Sequence, residues 1–133
     1  MFTIYVYVLD TLADWEIGYV TAELKSGRFF KEDAPSVSLK TVSDSKEPVH
    51  TMGGLTIVPD CLVEDIVVSK TSVLLLPGAN TWNAPSRGAI MKKSKRISIF
   101  WRCGMCNLWG YRCTCRHWGI ESAPAYQQWT GIS

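Results

Sequence analysis

Two short segments of this protein of 133 residues include side chains that could take part in catalysis. The first, Asp14-Trp15-Glu16, supplies two carboxylates just behind a run of β-branched and aromatic residues. The second, Leu76–Asn80, contains Pro77-Gly78 directly behind an apolar run. A glycine there lets a substrate approach the backbone closely, and free N–H groups at a strand-to-helix turn can stabilise an oxyanion. The two segments are therefore candidates for one site.

Each candidate also has an ordinary structural explanation, which the residues alone leave open. An acid such as Glu16 in the first turn of a helix commonly balances the helix dipole, and Pro-Gly after a strand commonly forms only a turn. Cys61, beside Asp60, is more often a structural thiol than a nucleophile. His50 is expected to be a surface or cross-strand residue of a hairpin.

The elements that would position these residues follow from hydrophobic patterning. Phe2–Leu9 predicts a buried strand. Thr11 and Asp14 resemble a capping box that starts a helix, and Gly27 is a plausible end. The apolar face of this helix consists of Ala13, Ile17, Val20 and Leu24.

The rest of the first 93 residues alternates between predicted strands and helices. The further elements are a strand at Ser36–Ser43, a hairpin turning at Gly53-Gly54 between Val49–Met52 and Leu55–Val58, a short helix at Cys61–Asp65, a strand at Ser72–Leu76 and a helix from about Arg87. The continuous apolar run is typical of a strand covered on both faces of a parallel sheet. Strands alternating with helices predict an α/β fold, whose ligands bind beyond the carboxyl ends of the strands.

Three runs, in order and at matching spacing, resemble the ThiJ/PfpI family, which is type 1 glutamine amidotransferase-like. They are YVYVLDTLADWEIGYVTAEL, HTMGGLTIVPDCLVEDI and SVLLLPGANTWNAP. The resemblance covers residues 1–93 and implies a flavodoxin-like three-layer sandwich with a mostly parallel sheet. It implies that Glu16 hydrogen-bonds a nucleophilic cysteine and that the N–H groups of Gly78 and Ala79 face a substrate oxygen. Ala79 stands where the family has a second glycine.

The family nucleophile, expected on an elbow such as Ala-Ile-Cys-Gly-Ala, is missing from residues 94–133. Composition also changes there: residues 1–93 carry 9 Lys/Arg and 11 Asp/Glu, a balance of −2, whereas residues 94–133 carry 5 and 1, a balance of +4. Four of the five cysteines and four of the six tryptophans lie in this tail. Because one domain rarely changes composition so sharply, either a second module begins there or the tail is aberrant.

The genetic code tests whether the tail is out of frame. With the frame shifted by one base, Trp101-Arg102 must encode Gly and Met105-Cys106 must encode Cys. Every step across residues 101–119 is compatible with a run containing Ala-Ile-Cys-Gly-Ala, in which the nucleophile codon straddles Leu108 and Trp109. We therefore hypothesise a one-base slip near Lys93, which leaves the α/β domain incomplete at its C-terminal end. With a sheet edge and an apolar face uncovered, we expect poor stability or association.

Taken at face value, the tail offers soft metal ligands, but at poor spacing for structural zinc. These ligands are Cys103, Cys106, Cys113, Cys115 and His117. A redox Cys-x-x-Cys lacks a preceding strand, disulfides do not suit a cytosolic protein, and a basic tail without a fold is weak evidence for nucleic-acid binding.

Composition favours a cytoplasmic, soluble, globular protein, since no apolar run reaches the ~18 residues of a membrane helix and no signal peptide precedes the first strand. We expect a small-molecule or peptide substrate, no cofactor, no metal, and neither nucleic-acid nor membrane partners; the resemblance implies a homodimer. Two functions stay open. One is a cysteine-dependent hydrolase or amidotransferase-like protein, inactive without its nucleophile. The other is a non-catalytic product: a truncated relic, a small-molecule-binding or stress-related domain, or an α/β domain with a zinc-binding Cys/His tail.

Overall fold

The computed structural model describes residues 1–100, with side chains up to Ser98. A five-stranded parallel sheet forms its centre, in the spatial order β5-β2-β1-β6-β7, and β3 and β4 form a separate antiparallel hairpin. The strands are β1 Phe2–Tyr7, β2 Val37–Ser43, β3 Val49–His50, β4 Thr56–Ile57, β5 Cys61–Leu62, β6 Ser72–Leu75 and β7 Ser98–Phe100. The helices are α1 Asp14–Ser26 and α2 Gly88–Ser94, with 3-10 turns at Val63–Asp65 and Pro85–Arg87. The predicted α/β fold with a mostly parallel sheet is confirmed.

The first strand lies at the centre of the core because it pairs with β2 on one side and β6 on the other. Its continuous apolar sequence suits this place, since a central parallel strand is covered on both faces. Tyr7, Val8 and Leu9 are fully buried, and Leu74 of β6 is buried beside them. Within residues 1–100, no helix is long and apolar enough to cross a membrane.

The start of α1 differs from the sequence prediction. Ala13 is the N-cap residue and the helix has no cap from a side chain, so the capping box of Thr11 and Asp14 is wrong. Thr11 has a φ of 63°, and its hydroxyl accepts a hydrogen bond from the Asn80 N–H at 3.0 Å. The Asp14 carboxylate binds the hairpin instead. The predicted end is confirmed, because Gly27 closes the helix with a φ of 63°.

Two further elements have other bounds than predicted, and one strand was not predicted. Cys61–Leu62 extends the sheet as a short strand, so only Val63–Asp65 is helical. The hairpin forms as predicted, although its loop runs from 51 to 55 and is wider than a Gly53-Gly54 turn. Past residue 93, where no strand pattern was recognised, Ser98–Phe100 pairs with β6. Ile97, which directly precedes this short strand, is buried in the core.

The apolar face of α1 is only half covered in the described structure. No residue between Asp14 and Ser26 is buried. Ile17 and Val20 of this face contact the core while partly buried, and Leu24 is also only partly buried. A helix of an α/β sandwich normally buries one stripe, so α1 has less cover than its sequence could use.

Candidate functional site

The candidate site lies where the order of strands reverses across the sheet. After β1, the polypeptide first adds β2 on one side and later adds β6 on the other. The loops that follow the carboxyl ends of β1 and β6 therefore lead away in opposite directions and leave a crevice between them. Such a switch point is the usual ligand crevice of an open parallel sheet. The two loops are joined at its base by a bridge between Leu12 and Ala79 and by a hydrogen bond from the Ala13 N–H to the Gly78 carbonyl at 2.8 Å.

Glu16 and Gly78, which are 62 positions apart in the sequence, meet in this crevice. The Gly78 N–H donates a hydrogen bond to Glu16 Oε2 at 2.6 Å. A Cβ atom at position 78 would lie 3.0 Å from Glu16 Oε1 and 3.2 Å from Oε2. Since Gly78 does not have a positive φ, glycine is favoured there by the closeness of the carboxylate rather than by backbone conformation.

Ala79 differs from Gly78 in what its backbone does. Although Ala79 is buried, no acceptor for its N–H lies among residues 1–100. The Gly78 N–H, in contrast, is occupied by Glu16. The two N–H groups that the resemblance paired therefore differ in availability: one binds the acid and the other is open for a further acceptor.

Asp14 binds the neighbouring hairpin rather than the crevice. Its Oδ2 accepts a hydrogen bond from the Gly53 N–H at 2.6 Å. The Thr51 hydroxyl, followed by the Gly53 N–H, holds the pKa of the Asp14 carboxyl below its usual range. A Cβ atom at position 53 would lie only 2.9 Å from Asp14 Oδ2. The hairpin is thereby attached to the first turn of α1, next to Glu16.

A buried group of polar side chains beside the crevice was not recognised from the sequence. Arg87 Nη1 forms an ion pair with Asp44 Oδ2, and both side chains are less than 20% exposed. The Tyr7 hydroxyl donates to the same Asp44 oxygen at 2.7 Å and accepts from Arg87 Nη1 at 3.0 Å. Burial, followed by the Asp44 carboxylate, raises the pKa of Tyr7 far above its usual value. Asp44 directly follows β2, so the rule that placed Glu16 at a strand end could have identified it.

A cavity of about 320 Å³ adjoins this group at the carboxyl ends of β1 and β2. Leu9 and Ser43 line it from the strands, and Asp44 and Arg87 line it from the buried group. This open recess lies on the β2 side of β1, whereas the crevice lies between the loops after β1 and β6.

The other residues considered from the sequence lie apart from the crevice. Cys61 is on β5, which β2 separates from β1; burial, followed by the nearby Asp65 carboxylate, raises the pKa of its thiol. His50 is an exposed hairpin residue, 3.9 Å from Asp10, as predicted. No cluster of three or more His, Cys, Asp or Glu side chains suited to a metal occurs within residues 1–100. The tail cysteines, His117 and the straddled codon at Leu108 and Trp109 lie outside the described residues.

Residues 2–96 match the model of the DJ-1/PfpI family. A Bacillus subtilis protein named YoaZ, an uncharacterized protease, is 44% identical over 90 residues, which are 68% of this chain and 43% of that protein. The family match ends three residues past the predicted boundary at 93.

Solved structures agree with this match. A thiJ/pfpI family protein from Bacillus anthracis superposes with a TM-score of 0.69 at 37% identity, over 78% of this chain and 52% of that one. A DJ-1 superfamily protein from Agrobacterium tumefaciens has the same fold, with a TM-score of 0.58 at 21% identity over 76% and 53% of the two proteins. The chain thus spans about half the length of these relatives.

Proposed function

The chain belongs to the DJ-1/PfpI family, and we propose that it carries the acid and oxyanion half of a cysteine-dependent hydrolase or amidotransferase-like site. The observation that supports this most directly is the 2.6 Å hydrogen bond between Glu16 Oε2 and the Gly78 N–H. It holds a carboxylate at the switch point of the sheet, where ligands of such folds bind. The name of the Bacillus subtilis relative, a protease, agrees with a hydrolytic reaction.

In this proposal Glu16 and Ala79 have separate roles. Glu16 would hydrogen-bond the nucleophilic thiol, while Gly78 keeps the carboxylate in place. The thiolate sulfur would attack a substrate carbonyl carbon, and the electron pair displaced onto the carbonyl oxygen would be stabilised by the open Ala79 N–H. A small-molecule or peptide carbonyl compound is the substrate class.

The nucleophile itself would come from the frame that we infer to be lost near Lys93. Support comes from the composition break after residue 93 and from the elbow motif that the shifted frame permits. The family match through residue 96 is compatible with a slip close to that point. Sequencing the DNA across codons 88–120 tests this directly: we expect a one-base shift to open a continuous frame through the elbow. A second frame interrupted by stop codons would refute it.

Thiol reactivity tests the catalytic proposal separately. We expect the frame-restored protein to contain one cysteine that iodoacetamide alkylates rapidly at about pH 6, because an elbow helix and a nearby acid favour thiolate. Glu16→Gln should slow that alkylation. Glu23→Gln, a change on the same helix where Glu23 pairs with the exposed Arg28, should not. Equal rates in all three proteins would remove Glu16 from the site.

A non-catalytic product is the second candidate, and Cys61 favours it for the protein with its present tail. Cys61 is the one cysteine among the described residues, and burial raises the pKa of its thiol instead of lowering it. If no peptide of the present protein is alkylated rapidly at about pH 6, it lacks an activated nucleophile, as proposed. Rapid alkylation of any cysteine in it would contradict the candidate.

A further inference from the structure

The Leu76–Asn80 turn is held by side chains other than Glu16, the acid of the crevice. The indole N–H of Trp82 donates to the Pro77 carbonyl at 2.9 Å. The Trp82 ring lies against Tyr7, with ring centroids 5.3 Å apart. The turn that carries Gly78 and Ala79 is therefore supported from the first strand through an aromatic contact.

A second support reaches the same turn through Thr81. Its hydroxyl donates to the Asp10 carbonyl at 2.6 Å, and its own carbonyl accepts from Arg87 Nε at 3.3 Å. Arg87 Nη2 also lies 3.5 Å from Thr81 Oγ1. One guanidinium thus contacts both the main chain and the side chain of Thr81.

The orientation of that guanidinium is fixed on its other side. Asp44 and Tyr7 both bind Nη1, and the Tyr7 ring lies 5.9 Å from the guanidinium carbon. A planar guanidinium can serve such a set of partners at once, whereas a lysine ammonium is a point charge on a flexible stem. Through Arg87, the positions of Tyr7 in β1 and of Asp44 after β2 therefore fix the position of Thr81 next to the turn.

From this geometry we infer that Arg87 is a positioning residue, which sets the turn so that Gly78 binds Glu16 and the Ala79 N–H stays open. The effect of Arg87 on the reaction rests on the proposed function, because Arg87 acts on the reaction only through the turn. Its effect on the Gly78–Glu16 hydrogen bond does not, because that bond can be observed without any turnover.

Amide exchange and NMR of the full present protein test the inference. We compare Arg87→Met and Arg87→Lys with Arg28→Met, which removes an exposed ion pair to Glu23. The Val8 amide, which donates to Val42 in the core, reports global unfolding. We expect both Arg87 variants to speed exchange at Gly78 about fivefold relative to Val8, the effect of losing about one hydrogen bond.

The chemical shift of the Gly78 amide proton is a second readout, and it does not depend on global stability. It should lie downfield in the parent protein and in Arg28→Met, as expected for an N–H bound to a carboxylate oxygen at 2.6 Å, and should move upfield in both Arg87 variants. Arg87→Lys keeps a charge for Asp44, so it decides the matter if Arg87→Met does not fold. Exchange at Gly78 that changes only in proportion to Val8, with an unaltered Gly78 amide proton shift, would overturn the inference and leave Arg87 as a stabilising residue alone.

Discussion

Replacing Gly78 by alanine tests the central contact of the candidate site. The new Cβ atom would lie 3.0 Å from Glu16 Oε1 and 3.3 Å from Cδ, closer than normal van der Waals contact. Glu16 must then shift by a few tenths of an ångström, which strains its 2.6 Å hydrogen bond from the Gly78 N–H.

The size of the effect follows from two opposing terms. Complete loss of this hydrogen bond to a charged group, the largest effect that the contact allows, would destabilise by about 1.5–3 kcal/mol. Since Gly78 has no positive φ, alanine also restricts the unfolded state and returns about 0.4–1 kcal/mol. We expect a net loss of up to about 2.5 kcal/mol in the free energy of unfolding, which urea titration followed by circular dichroism would measure.

Gly18 supplies a matched control on α1. A Cβ atom at Gly18 meets nothing within 4 Å, so Gly18→Ala should stabilise by about 0.5–1 kcal/mol through helix propensity. The two glycine substitutions should therefore have opposite signs. In a Glu16→Ala background the loss caused by Gly78→Ala should disappear, because the clash is gone. A stable Gly78→Ala variant, or an equal loss in both backgrounds, would refute the explanation.

Three further outcomes follow from described contacts. The pKa of Asp14 is lowered in the folded protein, so its hydrogen bond to the hairpin stabilises the fold at pH values above the unfolded pKa of about 3.9. This stabilisation is lost as the pH falls through the lower folded pKa. Urea titrations from about pH 5 to pH 2 should therefore show a shrinking difference in stability between the parent and Asp14→Asn, and a constant difference would contradict the explanation. Because burial raises the pKa of Cys61, mass spectrometry should find its peptide alkylated more slowly at about pH 8 than a free cysteine, and equal rates would argue against burial. Leu74→Ala should lose about 2–5 kcal/mol, since Leu74 is fully buried, while Val67→Ala, at 64% exposure, should stay within about 0.5 kcal/mol; similar losses would contradict the placement of the core.

The sequence predicted the elements whose signal is local and strong. β1, α1, β2 and β6 appear within a few residues of their predicted bounds, because period and apolar content determine them. The rule on ligand crevices brought Glu16 near Gly78, and the structure adds which N–H group the carboxylate binds.

What could not be predicted depends on contacts between distant parts of the sequence. Thr11 and Asp14 have the residue types of a capping box, but the loop after β6 and the hairpin compete for their side chains. Arg87 and Asp44 are 43 positions apart, and no spacing rule pairs them. β7 forms because a neighbouring strand offers an edge, which composition does not reveal.

Thr11 gives the loop after β1 an energetic character that its contacts alone do not express. A β-branched residue with a φ of 63° is strained by about 1–2 kcal/mol relative to ordinary conformations. The His50 carbonyl accepts a hydrogen bond from the Thr11 N–H at 2.7 Å, and the Asn80 N–H donates to the Thr11 hydroxyl at 3.0 Å. These two hydrogen bonds stabilise a backbone conformation that Thr11 alone would not adopt. The hairpin and the turn after β6 therefore jointly fix the segment that leads to Glu16, and loss of either bond should let this segment relax.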